Sequence, residues 1–384
     1  MKGPIVRRAI FDSEHEQLRE VARDFFEKYA VPNRDEWEQR GDVGREVWRQ
    51  AGAHGLLGLE VPEQYGGPGV KDYRFSAVIT EESARSRSGL SLGLQNDIVA
   101  PYLISLGTDE QKQHWLPGMV TGELLGAIAM SEPGAGSDLA GIRTSAQRDG
   151  DDWILNGSKT FISGGILADF VIVVARTDPQ AGHKGFTLLV VENGMPGFER
   201  GKKLDKIGCR TSDTAELFFS NVRVPDRNRL GEEGRGFYAL MHNLPQERMG
   251  IAVGGLASAE RAFEITIAYA KDRTAFGQPI GSFQANRFAL AEMHTKLQVA
   301  RSYLDQCIAS VAAGELSAED AAGAKWWITE LQWDITDRCM QLFGGYGYIN
   351  EYEIAAIWRD ARVQRLYGGT TEIMKDLVGR KLGL

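Results

Sequence analysis

Apolar residues recur at every third or fourth position through the first third of the chain. Within residues 13–126, Leu18, Val21 and Phe25 show the spacing that places apolar side chains on one face of a helix. Loops rich in glycine and proline interrupt this period. The pattern predicts an all-helical domain over residues 1–126.

The period shortens in the middle of the chain. Runs rich in β-branched and aromatic residues, such as 153–155 and 186–191, are separated by glycine-containing turns. The Asn156-Gly157 pair predicts a hairpin turn, with residues 159–162 as its return strand. We therefore expect a β domain of short strands over residues 127–235.

Long helical segments return after residue 236. They are predicted at about 245–272, 283–313 and 318–343, with shorter ones beyond. Several exceed 20 residues, which is typical of a helical bundle. The sequence thus predicts an α+β protein whose third domain, residues 236–384, is helical.

Composition limits the classes of partner. The 384 residues include 44 Lys and Arg against 52 Asp and Glu, and the formal net charge of -8 argues against nucleic acid or an anionic membrane as the main partner. There is no apolar run of membrane-spanning length and no N-terminal signal core, so we expect a soluble cytoplasmic protein. No two histidines lie three or four apart and no Cys-x-x-Cys pair occurs, so no metal site is predicted.

The segment Met-Ser-Glu-Pro-Gly-Ala-Gly-Ser-Asp at 130–138 is the most informative local motif. Gly134 and Gly136 permit backbone angles closed to other residues, while Ser131 and Ser137 supply hydroxyl donors. Such a turn can bring backbone N–H groups to an anionic or planar ligand. An ordinary surface turn before a strand would use similar residues, so the local chemistry leaves both interpretations open.

Taken in order, these features resemble one protein family. The helical third, the β middle with its 130–138 turn, the helical bundle, and the segments 341–348 (QLFGGYGY) and 367–372 (YGGTTE) together resemble the acyl-CoA dehydrogenase family over the whole chain. The resemblance implies an N-terminal all-α domain, a middle β-barrel-like domain and a C-terminal four-helix bundle. It also implies FAD, a homotetramer, dehydrogenation of an acyl-CoA thioester to the trans-2-enoyl-CoA, and an electron-transfer flavoprotein as electron acceptor.

The chain departs from the commonest family pattern at the catalytic base. Many members carry their glutamate just before the Gly-Thr pair of the C-terminal motif, where this chain has Gly368, whose N–H the resemblance assigns to the thioester carbonyl. Long-chain and isovaleryl types place the base in the first bundle helix, and Glu247 of the LPQER segment occupies that position. The alternative for Glu247 is a solvated first-turn glutamate favoured by the helix dipole. Arg248 resembles a CoA contact, with a structural ion pair as its alternative.

The resemblance also implies contacts to the cofactor and the substrate. Arg273, Phe276 and Gln284 match residues that reach the cofactor of a neighbouring subunit, so the FAD site requires an oligomer. The cofactor contacts are expected from Ile128, Met130, Ser131, Gly136, Ser137, Phe161, Ser163, Arg273, Phe276, Gln284, Gln341, Gly344, Gly345, Thr370 and Glu372. The substrate contacts are expected from Ser137, Tyr238, Arg248, Tyr367, Gly368 and Gly369.

The same residues bear on other possible functions. Leu139 stands where a dinucleotide fingerprint requires a third small residue, and neither a Walker lysine pattern nor a Gly-x-Ser-x-Gly elbow is present. An acyl-CoA oxidase or flavin monooxygenase of the same fold is an alternative that fast oxygen consumption would reveal. A non-catalytic or nucleic-acid-binding relative is disfavoured by the acidic balance and by the Glu247-Arg248 pair.

Overall fold

The computed structural model describes residues 8–384. The helical period of the first third produces helices separated by the expected glycine and proline loops, and a π-helical turn at Leu94–Val99 leads directly into the fifth of them. These helices are α1 (Ser13–Phe25), α2 (Arg34–Arg40), α3 (Glu46–Ala53), α4 (Tyr73–Ser86), α5 (Ala100–Leu106) and α6 (Asp109–Thr121).

The middle of the chain forms one mixed sheet. Its strands run in the order β6-β7-β3-β2-β4-β5-β8, with β1 paired in parallel to β4. The strands are β1 (Gly126–Ala129), β2 (Ser145–Asp149), β3 (Asp152–Ser163), β4 (Phe170–Arg176), β5 (Phe186–Glu192), β6 (Phe198–Lys203), β7 (Thr214–Pro225) and β8 (Arg229–Leu230).

The hairpin predicted at Asn156-Gly157 is wrong. Strand β3 runs straight through this pair to Ser163, and its pairing with β7 shifts register between Leu155 and Gly157, so the glycine marks a bulge. A Cβ at residue 157 would lie 2.5 Å from Oγ1 of Thr144, so glycine permits a close approach of two chain segments there. The hairpin turn lies just before β3 instead, where Asp149 of β2 pairs with Asp152.

The C-terminal part is a bundle built on three long helices, joined by two shorter ones and a small ribbon. The buried faces of the long helices share one apolar core with Tyr73 and Ala77 of α4. The elements are α7 (Gly236–Asp272), β9 (Thr274–Ala275), β10 (Gln278–Pro279), α8 (Gln284–Ala312), α9 (Ala318–Phe343), α10 (Glu353–Ala361) and α11 (Thr371–Lys381).

Helix α7 begins earlier than the sequence predicts. It starts at Gly236, not near Pro245, and the proline is accommodated inside it. Leu240 and Leu244 are buried on this first part of the helix, and their packing overrides the helix-breaking tendency of Pro245. Residues 246–248 therefore lie well inside a helix.

A second apolar core joins the helical and β parts. It includes Tyr102 and Leu103 of α5, Phe170 and Leu188 of the sheet, and Leu240 of α7. This shared core fixes α5 and the N-terminal half of α7 against the sheet. None of the helices within residues 8–384 is both long enough and apolar enough to span a membrane.

Candidate active site

Glu247 is a buried carboxyl group in the middle of a helix. It lies eleven residues after the start of α7, and only 8% of its surface is exposed. The alternative of a solvated first-turn glutamate is therefore wrong, because the helix extends further toward the N-terminus than predicted. Burial raises the pKa of Glu247 to about 7, against the opposing effects of Tyr102 and Arg248.

Tyr102 of α5 is the polar partner of Glu247. Its hydroxyl donates a hydrogen bond to Oε1 of Glu247 at 3.2 Å, and the tyrosine side chain is fully buried. Burial and the adjacent carboxyl group both raise the pKa of Tyr102, so the phenol remains a protonated donor. Oε2 of Glu247 accepts no hydrogen bond from the residues described, 8–384.

The turn before α11 lies against the same face of α7. Gly368 and Gly369 both adopt positive φ angles, of 66° and 97°, which favour glycine. Nε of Arg248 donates to the carbonyl oxygen of Gly368 at 3.2 Å, and a Cβ at residue 368 would lie 2.4 Å from Cδ1 of Ile251, one helical turn after Glu247. Gly368 is thus placed next to the helix face that carries Glu247.

A lysine holds the other end of this turn. Nζ of Lys325, on α9, donates to the carbonyl oxygen of Gly369 at 2.7 Å, and the lysine side chain has no exposed surface. Burial, followed by repulsion from Arg248, lowers the pKa of Lys325 to about 8. The N–H of Gly368 has no acceptor within residues 8–384, so it is available as a donor.

Arg248 forms no ion pair with any described residue, which removes the structural alternative weighed for it. Burial lowers its pKa. The charged groups of the site are therefore the buried carboxyl group of Glu247 and two buried cations, Arg248 and Lys325. Both cations donate to the glycine turn that carries the free Gly368 N–H. This arrangement can accept a proton from a carbon atom while stabilising negative charge on a neighbouring oxygen.

The 130–138 turn is anchored by a buried ion pair. Nζ of Lys159, a residue of β3, lies 2.9 Å from Oε1 of Glu132 and donates to the carbonyl oxygen of Met130 at 2.9 Å. The Glu132 carboxylate also accepts the backbone N–H groups of Arg143 and Thr144. Lys159 is fully buried, and burial lowers its pKa to about 8.

This anchor brings one group of predicted cofactor residues together. The N–H of Thr160 donates to the carbonyl oxygen of Ser131 at 3.0 Å, which sets the Met130-Ser131 edge beside Phe161. Ser163 is exposed two residues further along, at the end of β3. Phe161 has a φ of 60° and is 69% exposed. Ile128 lies in β1, half-buried opposite Ile172. Gly136 and Ser137 are exposed on the turn.

A second group of predicted cofactor residues lies at the far ends of the bundle helices. The guanidinium of Arg273, which follows α7, lies 5.7 Å from the ring centre of Tyr346, just after Gly345. Phe276 has a φ of 50° and is 95% exposed, the largest exposure among the large hydrophobic side chains of residues 8–384. No hydrogen bond among residues 8–384 joins this group to the Met130-Ser131 edge. The remaining members of this group, all exposed, are Gln284, Gln341 and Gly344. Thr370 and Glu372, also at least partly exposed, lie instead at the start of α11, next to the Gly368-Gly369 turn.

These surfaces fit FAD. At Gly134, Gly136, Gly344 and Gly345 an added Cβ would meet nothing within 4 Å, so both glycine segments border open space. Phe161 offers an exposed, unstacked aromatic face, and the hydroxyl-bearing residues Ser137 and Ser163 are also exposed. A planar flavin with a polar tail matches such a lining. Residues 8–384 contain no cluster of His, Cys, Asp and Glu that would hold a metal ion.

Two predicted substrate contacts are tyrosines with partial exposure. Tyr238 is 40% exposed, with the Arg235 guanidinium 4.6 Å from its ring centre. Tyr367 is 43% exposed, and its hydroxyl donates to Gln364 at 2.7 Å. Neither is a core tyrosine, so both have surface available to a ligand.

The sequence interpretation missed three site residues. Nothing in the sequence marks Tyr102 as a site residue, because it lies among apolar residues in a helix. The sequence does mark Lys325 and Lys159 as unusual, because each is a charged residue within a segment that contains several apolar positions. Lys325 interrupts an apolar helix face between Ala321 and Ile328, and a lone lysine in such a face requires an internal acceptor.

Comparison with known proteins bears on the whole chain. Residues 12–123, 127–222 and 234–383 match the family models described as the N-terminal, middle and C-terminal domains of acyl-CoA dehydrogenase. A long-chain specific acyl-CoA dehydrogenase, mitochondrial, from Sus scrofa is 48% identical over 98% of this chain and 88% of its own length.

Solved structures agree. An acyl-CoA dehydrogenase from Geobacillus kaustophilus is 49% identical with a TM-score of 0.96, covering 98% of this chain and all of its own. A glutaryl-CoA dehydrogenase from Mycobacterium smegmatis, solved in complex with FADH2, is 30% identical with a TM-score of 0.91, covering 97% of this chain and 95% of its own.

Proposed function

The chain belongs to the acyl-CoA dehydrogenase family, and on that premise we propose that Glu247 is the base that removes the α proton of the acyl-CoA thioester. The enzyme is an FAD-dependent dehydrogenase of acyl-CoA thioesters. The observation that carries the assignment of Glu247 is its buried carboxyl group, with a pKa raised to about 7, on the helix face that packs against the Gly368-Gly369 turn, where the Gly368 N–H is unpaired.

The reaction removes a proton from the α carbon and a hydride from the β carbon, giving the trans-2-enoyl-CoA. FAD, when bound, supplies the hydride acceptor. Oε2 of Glu247 is the oxygen we assign to the α proton, because Oε1 is occupied by the Tyr102 hydroxyl. The hydrogen bond from Tyr102 also orients the carboxyl group, so that it does not have to be ordered during the reaction.

The thioester α proton is a weak acid, so the carbonyl oxygen needs donors that favour its enolate-like form. We assign the N–H of Gly368 to this oxygen. The carbonyl oxygen of Gly368 already accepts a hydrogen bond from Arg248. The nearby positive charges of Arg248 and Lys325 favour negative charge on a bound thioester oxygen. The acidic side chain and the donor are thus supplied by two different segments of the bundle.

The FAD contacts are proposed from the two groups of residues described above. The Met130-Ser131 edge with Phe161 and Ser163 would hold the flavin ring, and the 136–137 turn would hold the more polar part. We propose that Arg273, Phe276 and Gln284 act on the cofactor of a neighbouring subunit in a homotetramer. The exposure of the Phe276 side chain supports an interface at that position.

We propose a long-chain acyl-CoA as the preferred substrate, an electron-transfer flavoprotein as the electron acceptor, and a cytoplasmic location. The identity to the long-chain specific enzyme of Sus scrofa supports the first of these. Anaerobic titration of the purified flavoprotein with saturated acyl-CoAs of graded chain length tests the function. Bleaching of the flavin by long chains at the lowest concentrations is the expected result.

The same titration of Glu247→Gln provides the contrast. We expect a yellow protein that binds the thioester without bleaching. Full bleaching of this variant would overturn the assignment of the base, and equal response to all chain lengths would overturn the substrate proposal. Fast oxygen consumption by the wild-type enzyme would instead indicate an oxidase.

A further inference from the structure

The turn before α11 is attached to α9 by three hydrogen bonds, which involve two side chains of that helix. Lys325 donates to the carbonyl oxygen of Gly369, as described above. Glu330, one turn further along α9, accepts both Nε of Arg365 at 2.7 Å and the Thr371 hydroxyl at 2.8 Å through the same oxygen. These contacts bracket the Gly368-Gly369 turn.

Lys325 is a charged residue at a position where a helix packed in the core normally has an apolar one. Its side chain is fully buried on a helix face whose neighbours Ala321, Ala324 and Ile328 are also fully buried. It forms no ion pair among residues 8–384, and desolvating an unpaired cation costs several kcal/mol. An apolar side chain would pack there at lower cost, so packing alone does not account for a lysine.

The contact of Lys325 restricts the most flexible dipeptide of the site. Two consecutive glycines with positive φ have more conformational freedom than any other pair. Arg248 holds the first carbonyl oxygen and Lys325 the second, so both peptide groups that follow Gly368 are fixed. The N–H groups of Gly368 and Gly369 have no acceptor among residues 8–384, and fixing the two carbonyl oxygens restricts the directions in which these N–H groups can point.

We propose that Lys325 is a positioning residue for acyl-CoA oxidation: together with Arg248 it locks the Gly368-Gly369 turn so that the Gly368 N–H points at the thioester carbonyl oxygen. This rests on the function proposed above. Lys325 touches neither substrate nor cofactor in this role. Its buried charge adds an electrostatic preference for the enolate-like form of the thioester.

The test measures the carbonyl bond directly, by infrared spectroscopy of trans-2-enoyl-CoA labelled with 13C at the thioester carbonyl and bound to the oxidised holoenzyme. This ligand is the reaction product, so the measurement does not depend on turnover or on Glu247. A hydrogen bond to the oxygen lowers the stretching frequency relative to free ligand. We expect wild-type enzyme to lower this frequency and Lys325→Met to lose more than half of that shift.

Arg365→Met is the matched control. It removes the hydrogen bond to Glu330, which attaches the same segment to α9 on the N-terminal side of the Gly368-Gly369 turn. It should lower stability while leaving the carbonyl shift as in wild type. In turnover, Lys325→Met should reduce kcat by roughly 10- to 100-fold, with KM changed less than about threefold. If Lys325→Met does not hold FAD, Lys325→Gln, which keeps a neutral donor, is measured in its place and should retain part of the wild-type shift and lose the rest.

Two results would overturn the proposal: no carbonyl shift in wild-type enzyme, or an undiminished shift in a folded Lys325 variant. Failure of the proposed function looks different. In that case acyl-CoA would not bleach the wild-type flavin, or would bleach Glu247→Gln, whatever the infrared spectrum of the bound product.

Discussion

The hydroxyl of Tyr102 donates a hydrogen bond to Oε1 of Glu247, and both side chains are buried between α5 and α7. This contact joins the N-terminal helical part of the chain to the bundle at the proposed base. It also balances two opposing effects on the carboxyl group. Burial raises its pKa, while a donor to the ionised form lowers it, so the pKa of about 7 is the net result.

The first prediction concerns pH. Glu247 acts as a base only when ionised, and its pKa is raised to about 7, so kcat/KM should be constant above that pH and fall about tenfold per unit below it. The measurement is the pH profile of kcat/KM with a saturating electron acceptor. A profile that stays flat down to pH 5 would contradict a buried base with this pKa.

Replacing Tyr102 with Phe should move that profile. A hydrogen bond to a charged group contributes about 1.5–3 kcal/mol, so losing it should shift the acidic limb of the profile upward by about one to two pH units. Tyr65→Phe is a matched control, since Tyr65 is also buried and its hydroxyl donates to Asp109 at 2.8 Å. An equal shift in both variants would show that the effect is not specific to Glu247.

Gly368 should not tolerate a side chain. At a φ of 66°, Gly368→Ala costs about 1–2 kcal/mol in backbone strain, and its Cβ would press on the Ile251 side chain. We expect a lower free energy of unfolding in urea and a lower kcat. Gly379→Ala, on α11 where an added Cβ meets nothing within 4 Å, should leave both unchanged or slightly improved. Equal stability of the two variants would contradict the assigned strain.

Lys159→Met should release the 130–138 turn. Glu132 would keep its two backbone donors but lose its buried cation, at a cost of about 3 kcal/mol, and the Met130 carbonyl would lose its donor. The expected result is purified protein with a lower ratio of flavin to protein absorbance and a larger dissociation constant for FAD. The exposed Lys202→Met should retain wild-type FAD content.

The sequence predicted the architecture because periodicity and motif order extend over long segments. Helices, sheet and bundle appear in the predicted order. Single residues that usually mark turns and helix ends predicted the element boundaries less reliably. Pro245 lies inside a helix and Asn156-Gly157 inside a strand, because tertiary packing and cross-strand pairing outweigh the preferences of one or two residues.

The hydrogen-bond partners of the site residues could not be predicted from the sequence, because they lie far from those residues along the chain. Tyr102 and Glu247 are 145 positions apart, and nothing in the composition of α5 distinguishes this tyrosine from a core residue. Lys325 was within reach, since a lysine in an apolar helix face is itself unusual, but its acceptor lies in a glycine turn 44 residues away. Contacts between distant segments require the fold to be known.

The most direct test of the central claim is the rate of flavin reduction in a single anaerobic turnover, measured by stopped-flow absorbance for wild-type, Glu247→Asp and Glu247→Gln enzymes. We expect at least a roughly 10³-fold loss in Glu247→Gln, a smaller loss in Glu247→Asp, and acyl-CoA dissociation constants within a few-fold of wild type. Reduction of Glu247→Gln at a rate within tenfold of wild type would contradict the account.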